Sequence, residues 1–387
     1  MASSFISLEH VDAGHFAAFQ RALFNILHLP LAEETYAQIV DGLPLKDVHL
    51  QYHTRNNIPA AIEAHVCLCP GVLDRVRSFR DRLDVTTLLF PSYTVQAYQT
   101  CRLGSTAFHL RLIELLVVAC HQLAVFFYRL DDGVHSKAAQ EAQLMADLAA
   151  VPAARTWERN RVPPRTYFYN GHYCLFEQYP DGVADVAGYW AETCIFGGVV
   201  VFDRGASDRE CDGMYLHANR ITTGSTLYPP TEAQFRALVA FLNASPSPQA
   251  QAQVEKIECP LPIIGSAANR WRWEPHDAFA VYHIYRDRYE RVPSAFVRRE
   301  LLHTNRHVNF PEAQDQVVLL FQTVGPEQFG VPVDEEALRQ ANENLKRITP
   351  SSPAWHGPWP AKLERKAPWK PPYFFDPEPG QEEGTGG

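Results

Sequence analysis

A long apolar run, Leu112–Leu130, limits the folds that this chain can adopt. It is too long and too continuous for one strand, so it predicts a helix over Thr106–Leu130. Glu114, His121 and Arg129 interrupt the run, and a charged side chain at the centre of a bilayer costs about 2.5–3.5 kcal/mol. We therefore expect the central helix of a protein core, with no membrane contact.

The sequence pattern changes between the first 150 residues and residues 166–220. In the first 150 residues, the apolar side chains recur at helical spacing. Asn170-Gly171 lies between two aromatic runs, and this dipeptide favours a type I′ hairpin because both central residues need positive φ. Val199–Phe202 is short and β-branched, as buried strands are. These features predict a small antiparallel β-meander over about 166–220.

Helical patterns resume over residues 231–348, including a helix over His276–Arg291, and no clean linker separates the segments. We therefore expect an α+β fold, in which the β-meander packs against a mostly helical body. Residues 1–349 are predicted to form a single interwoven domain, and residues 350–387 a separate tail.

The tail is rich in proline and tryptophan. Residues 350–387 hold 9 of the 29 prolines and 3 of the 7 tryptophans, and dense proline prevents both helix and sheet. Because an exposed indole leaves a large apolar area in water, we expect Trp355–Phe375 to pack across the domain as an extended strap. Only Pro377–Gly387 is predicted to be disordered. The alternative is a docking peptide for a protein partner.

Composition and charge indicate which binding partners and which cellular compartment to expect. With 35 Lys and Arg against 44 Asp and Glu, the net charge of −9 disfavours nucleic-acid binding. The N-terminal segment lacks the features of a secretory signal, and the 8 cysteines are scattered without a C-x-x-C motif. We expect reduced thiols and a cytoplasmic protein with no membrane partner.

Carboxylates are concentrated beside aromatic residues between Tyr179 and Gly205. An apolar neighbourhood raises a carboxyl pKa and can create a general acid or base, and loops after strands often carry site residues. The alternative is a turn with an ordinary ion pair. The candidate catalytic residues are Asp185, Glu192, Asp203, Arg204 and His217.

The same segment carries a resemblance. Its two blocks, YPDGVADVAGYWAE and FGGVVVFDRG, resemble a block found in uncharacterised proteins of filamentous ascomycete fungi. The resemblance covers about 30 residues and implies a fungal origin. It brings no activity, cofactor or catalytic residue to this chain.

A metal site is considered at Glu300, His303 and His307, which share one face if the segment is helical. The sequence holds no second Glu-x-x-His for a di-iron site and no His-Glu-x-x-His. Histidines near a helix C-terminus are also favourable without a ligand role. We therefore disfavour this site and expect no metal and no cofactor.

Two further short motifs contain metal-binding residue types. Asp131-Asp132-Gly-Val-His135 resembles the aspartate-rich motif of class I terpene synthases, but His135 stands where an acidic residue is expected. Cys67 and Cys69 form a C-x-C pair with nothing nearby in the sequence to complete a metal site. A helix stop and buried thiols are the simpler interpretations.

Three functions stay open on the sequence alone. The first is an enzyme that acts on a small molecule through acid–base side chains near Asp203-Arg204. The second is a non-catalytic scaffold that binds a protein partner through its tail. The third is a metal-dependent enzyme that uses Glu300, His303 and His307. The chain lacks the Gly-x-Ser-x-Gly, Gly-x-Gly-x-x-Gly and P-loop motifs of other enzyme classes.

Overall fold

The chain has an α+β fold, as the sequence predicts. Helices dominate, and two antiparallel sheets of two and four strands accompany them. The computed structural model describes residues 4–53, 58–130, 133–150, 164–218, 220, 222–245, 259–287, 289, 306–330, 332–357 and 369–376.

The first 150 residues are largely helical, as expected. Asp12 starts the first helix because its side chain accepts hydrogen bonds from the backbone N–H groups of Gly14 and His15, both at 3.1 Å. A short pair of strands, β1 (Phe5–Ile6) and β2 (Phe90–Pro91), lies beside the helices. The helices are α1 (Ala13–Leu27), α2 (Pro30–Asp41), α3 (Lys46–Tyr52), α4 (Ala60–Ala64), α5 (Val72–Arg80), α6 (Ser92–Thr100), α7 (Thr106–Leu130) and α8 (Lys137–Ala150).

Helix α7 is the central helix of the hydrophobic core, with the bounds that its apolar run predicts. In the described part of the chain it is the one helix long and apolar enough to cross a membrane, and 83% of its most apolar window is buried inside the protein. It packs against α1, α2 and α6, and most extensively against a later helix, α9 (Val183–Phe196).

The second half of the chain supplies the larger sheet, whose strand order is β5-β4-β3-β6. Its strands are β3 (Val199–Asp203), β4 (Met214–His217), β5 (Leu227–Tyr228) and β6 (Ile284–Tyr285). All residues of the four strands are buried, so the sheet is covered on both faces. The remaining helices are α10 (Glu232–Asn243), α11 (Pro275–Ala280), α12 (Arg306–Asn309), α13 (Glu312–Thr323), α14 (Gly325–Phe329) and α15 (Glu335–Leu345).

The predicted β-meander over 166–220 is wrong in detail, because only β3 and β4 lie within it. Val183–Phe196 forms α9 instead of a strand, since Asp185, Gly188 and Glu192 repeat at helical spacing and face α7. No hairpin forms at Asn170. Its side chain accepts a hydrogen bond from the backbone N–H of His172 at 2.9 Å and donates one to Thr193 at 2.9 Å, which fixes an irregular turn.

The predicted helix over His276–Arg291 is also shorter than expected. Helix α11 ends at Ala280, and His283 adopts a left-handed backbone with φ 55°. A left-handed residue interrupts a right-handed helix, so the chain turns and continues as β6. This strand then pairs with β3, with Phe202 opposite Tyr285.

The two described parts of the tail pack against the rest of the protein. The Trp369 ring lies 5.8 Å from that of Tyr282, and Phe374 is buried beside Phe235. One hydrophobic cluster contains residues from Leu8 to Phe374, so both ends of the described chain share a core. Residues 358–368, within the predicted strap, and the predicted free end at 377–387 lie outside the described residues.

Candidate functional site

His121 lies between two carboxylates at the interface of α7 and α9. Its Nε2 is 2.9 Å from Oδ1 of Asp185, and its Nδ1 is 2.7 Å from Oε1 of Glu192. Gly188 leaves room for the ring, because a Cβ at this position would lie 2.5 Å from Cε1 of His121. The spacing of Asp185, Gly188 and Glu192 on one helix therefore forms the cradle of the imidazole.

Arg286 completes this group of charges. Its Nη1 donates to Oε1 of Glu192 at 2.5 Å, and its guanidinium lies 5.0 Å from the centre of the Tyr189 ring. Two carboxylates thus face two cations, provided that His121 is protonated. Hereafter, the His121 network denotes His121, Asp185, Glu192 and Arg286.

The two carboxylates of the His121 network differ in access and in hydrogen bonding. The side chains of His121 and Asp185 are 11% and 10% exposed, whereas that of Glu192 is fully buried. Oδ2 of Asp185 accepts a hydrogen bond from the Asp181 backbone N–H at 2.6 Å. Among the described residues, Oε2 of Glu192 has no hydrogen-bond partner. The network therefore meets solvent on its Asp185 side.

The environment of His121 favours its charged form. Burial by itself lowers the pKa of an imidazole, but the hydrogen bonds to Asp185 and Glu192 outweigh it and raise the pKa of His121 to about 9. The ring is then a buried imidazolium at neutral pH, and both of its N–H groups donate to carboxylates.

Alkaline pH should therefore weaken the folded state. A folded-state pKa above the unfolded value stabilises the protein fully below pH ~6.5, and this contribution is lost as the pH rises towards about 9. We expect the unfolding free energy of the wild type to fall by on the order of 3 kcal/mol relative to His121→Gln over this range. Urea unfolding at several pH values measures the difference, and parallel curves for the two proteins would contradict the assignment.

Asp203-Arg204, at the end of β3, belongs to a second group of buried charges. Arg204 donates from Nη1 to Glu114 at 2.7 Å, from Nε to the Tyr285 carbonyl at 3.0 Å and from Nη2 to the Arg286 carbonyl at 2.7 Å. Arg204 thus fixes the backbone of the residue whose side chain holds Glu192. The two groups of charges are connected through Arg286.

Glu114 is the anion at the centre of the second group. Its other oxygen accepts from Arg111 at 2.8 Å. Burial by itself raises the pKa of Glu114, but the guanidiniums of Arg204 and Arg111 outweigh it and hold the pKa below its usual value. Both oxygens of this carboxylate are therefore committed to ion pairs.

Asp203 is held by its own turn and by the tail. Its Oδ1 accepts from the Gly205 backbone N–H at 3.1 Å, and its Oδ2 lies 3.5 Å from Nζ of Lys370. Lys370 also contacts Asp212 at 3.0 Å. The predicted strap therefore contributes a cation to the Asp203-Arg204 turn.

His217 is not part of either group. It pairs with Val199 at the opposite end of β3 from Asp203, which is roughly 13 Å away along a strand. Its Nδ1 lies 3.0 Å from the Tyr173 hydroxyl, and its ring stacks on that of His172 with centres 4.2 Å apart. Burial, with a smaller effect from His172, lowers the pKa of His217 well below its ordinary value.

Acid pH should weaken the folded state through His217. A depressed folded-state pKa means that the unfolded chain binds the proton first, so stability is lost as the pH falls below ~6.5, by up to ~1.4 kcal/mol per pH unit. His217→Gln should flatten this slope, whereas His10→Gln, on an exposed residue, should leave it unchanged. Unfolding curves between pH 7 and pH 4 test this, and an unaltered slope in His217→Gln would show that another group controls acid unfolding.

Of the sequence-predicted residues, Asp185 and Glu192 lie in the His121 network, and Asp203 and Arg204 lie in the second group of charges. Sequence reasoning missed His121, Glu114 and Arg286. A partial signal existed. Glu114 and His121 are seven residues apart and interrupt the apolar run of α7. The partners of these side chains lie far away in the sequence, so helical spacing alone could not identify them.

Metal-binding donors meet elsewhere in the described chain. Glu300 and His303 lie outside the described residues, as does the side chain of His307. Two groups of described residues have donor atoms within 4.8 Å of one another: Asp41 with His65, Cys69 and His135, and Glu274 with His276 and Asp277. In the second group, Glu274 caps α11 by accepting from the Asp277 backbone N–H, which explains that contact locally.

A surface groove of 460 Å³ lies between α5 and the C-terminal end of α7. Its lining residues are Val40, Asp74, Arg75, Ser78, Phe79, Arg82, Phe126, Phe127 and Leu130, none of which belongs to the two groups of buried charges.

Comparison of the chain with protein-family models, with curated proteins and with solved structures finds no match.

Proposed function

We propose that the protein is an enzyme that transfers a proton to or from a small molecule, with Asp185 as the group that contacts the substrate. The observation that carries the proposal is the geometry of His121, which donates to Asp185 and Glu192 at 2.9 and 2.7 Å. This arrangement orients a carboxylate whose side chain is 10% exposed by means of a buried imidazolium, as catalytic acid–base groups are oriented.

The cost of the His121 network supports a functional role. Removing charges from water is expensive, and a buried ion pair often stabilises a fold no better than apolar residues of similar volume. Groups of buried titratable residues with perturbed pKa values are enriched at functional sites. A site that retains four charged side chains, one of them with its pKa raised to about 9, fits that pattern.

Each residue has a distinct role in the proposal. Asp185 exchanges the proton with the substrate. His121 fixes the orientation of Asp185 and balances its charge, and Glu192 holds the other side of the His121 ring. Arg204 is a positioning residue, because it acts on Arg286 through the backbone carbonyl at 2.7 Å. His217 takes no part in the reaction.

The test compares Asp185→Asn with Asp181→Asn, the same change on a more exposed side chain in the turn that precedes α9. Each protein is incubated with a fungal metabolite extract, and compounds that are consumed or that shift the thermal unfolding temperature are identified by mass spectrometry. We expect the wild type and Asp181→Asn to consume the same compound, and Asp185→Asn to consume it at least ~100-fold more slowly. Equal turnover by Asp185→Asn, or no compound consumed by the wild type, would contradict the proposal.

The expected context of this activity is a fungal, cytoplasmic protein whose partner is a small molecule. None of the eight cysteines is in a disulfide, which supports a reducing compartment. The scaffold function is the weaker candidate, because Trp369 and Phe374 of the tail already pack against the body. Fractionation of the native cell tests the location.

A further inference from the structure

Four metal-binding side chains from three parts of the chain meet at the C-terminal end of α2. Asp41 is the last residue of that helix, His65 and Cys69 lie in the loop before α5, and His135 lies between α7 and α8. One donor atom from each lies within 4.8 Å of the others. We propose that these residues, hereafter the α2 cluster, bind one structural zinc ion.

The distances within the α2 cluster suit a tetrahedral ion. Zinc bonds of about 2.0–2.1 Å to nitrogen or oxygen and 2.3 Å to sulfur place neighbouring ligand atoms roughly 3.3–3.6 Å apart. Nε2 of His65 is 3.2 Å from Oδ2 of Asp41, and Sγ of Cys69 is 3.6 Å from Nε2 of His135. Nε2 of His135 is 4.0 Å from Oδ1 of Asp41. Every pair of donor atoms lies within 4.8 Å, so a contraction of about 1 Å brings the most distant pairs to ligand spacing.

The ligand atoms are oriented before any ion binds. Nδ1 of His65 is 3.1 Å from the Pro44 carbonyl, which accepts a hydrogen bond from the Nδ1–H tautomer and leaves the Nε2 lone pair for a metal. Oδ2 of Asp41 accepts from the Cys69 backbone N–H at 2.8 Å.

A second, independent observation concerns Oδ1 of Asp41. The residue is 0% exposed, and among the described residues this oxygen has no hydrogen-bond partner. An unpartnered buried carboxylate oxygen is costly, and a cation removes that cost.

The fold brings His135 to Asp41 through an unusually close backbone approach. The His135 N–H donates to the Asp41 carbonyl at 3.0 Å. A Cβ at Gly42 would lie 2.0 Å from the His135 carbonyl oxygen, and one at Gly133 would lie 2.2 Å from the Val40 carbonyl oxygen. Both glycines are therefore required for the connection after α7 to dock on α2. This docking completes the set of four ligands.

The donor set identifies the ion and its role. A thiolate, two imidazoles and a carboxylate match zinc, whereas calcium and magnesium prefer oxygen ligands. The charges of Asp41 and Cys69 balance a divalent ion. Four protein ligands leave no open position for substrate, so the ion links α2, the loop before α5 and the connection after α7.

The first test measures metal content and coordination in the full chain. Protein loaded with Zn²⁺ and freed of excess ion should retain one zinc per chain. Replacement by Co²⁺ should give strong visible bands of a tetrahedral ion and a near-ultraviolet thiolate charge-transfer band. Cys69→Ser should abolish the charge-transfer band, whereas Cys67→Ser, on the exposed neighbouring cysteine, should keep it. A wild type that retains no zinc, or a Cys69→Ser protein that keeps the band, would overturn the proposal.

The second test measures affinity and stability. Asp41→Asn and His135→Ala should each weaken zinc binding by about 100-fold or more, and His10→Ala, at an exposed histidine, should not. A chelator should lower the thermal unfolding temperature of the wild type. If the variants fail to fold, the Co²⁺ spectrum of the wild type still tests the proposal. A weak spectrum, typical of octahedral Co²⁺, would contradict tetrahedral binding by the α2 cluster. Stoichiometric copper or iron in place of zinc would overturn the choice of ion.

Discussion

Replacing Arg204 by Met is expected to lower the free energy of unfolding by about 3–5 kcal/mol, because the buried carboxylate of Glu114 loses one of its two arginine partners. The guanidinium of Arg204 also satisfies the carbonyls of Tyr285 and Arg286, which lose their donor in the variant. Urea unfolding at pH 7 measures the loss.

The control for this change is Arg236→Met. Arg236 pairs with Glu232 on α10, but its side chain is 77% exposed, so the loss should stay within ~1 kcal/mol. Similar losses for the two variants would mean that the Arg204 ion pair is no more important to folding than a surface pair. We also expect Arg204→Met to disturb Arg286, since Arg204 holds its backbone.

Gly188→Ala is expected to destabilise the protein by about 2–4 kcal/mol, against the usual gain of ~1 kcal/mol for this change inside a helix. The new Cβ would lie 2.5–2.7 Å from three atoms of the His121 ring. The imidazole must then move, and its hydrogen bonds to Asp185 and Glu192 lengthen or break. Chemical unfolding gives the magnitude.

Gly325→Ala provides the matched control for Gly188→Ala. It is the first residue of α14, where a new Cβ would be no closer than 3.5 Å to any atom outside its chain neighbours. Because Pro326 follows it, Gly325→Ala should carry a small cost, clearly less than that of Gly188→Ala. A neutral or stabilising Gly188→Ala would show that the His121 ring does not occupy the cradle on α9.

The sequence predicts the parts of the fold that local pattern controls. The apolar run yields α7 with its observed ends, because a mostly apolar run as long as Leu112–Leu130 leaves few alternatives to a buried helix. Val183–Phe196 was harder to identify. Almost every residue of this helix is buried, so its apolar residues surround the helix and the contrast between two faces is weak.

The sites depend on tertiary contacts that local pattern does not contain. Asp185 and Glu192 were candidates from their own segment, but the histidine that connects them lies on α7. His135 and Cys69 lie in separate short motifs of the sequence. Only the docking of residues 133–135 on α2 brings their side chains together. The spacing of residues within one helix or strand predicts which side chains share a face. A set of ligands that comes from several helices and loops can be identified only when the fold is known.

The protonation of His121 tests the central claim most directly, namely that a buried imidazolium between Asp185 and Glu192 organises the site. Long-range ¹H–¹⁵N spectra of the imidazole nitrogens, assigned by comparison with His121→Gln, follow the ring across the pH range. Both nitrogens of His121 should remain protonated at pH 7 and titrate with a pKa of about 9. A ring that loses its proton at or below pH ~6.5 would contradict the account.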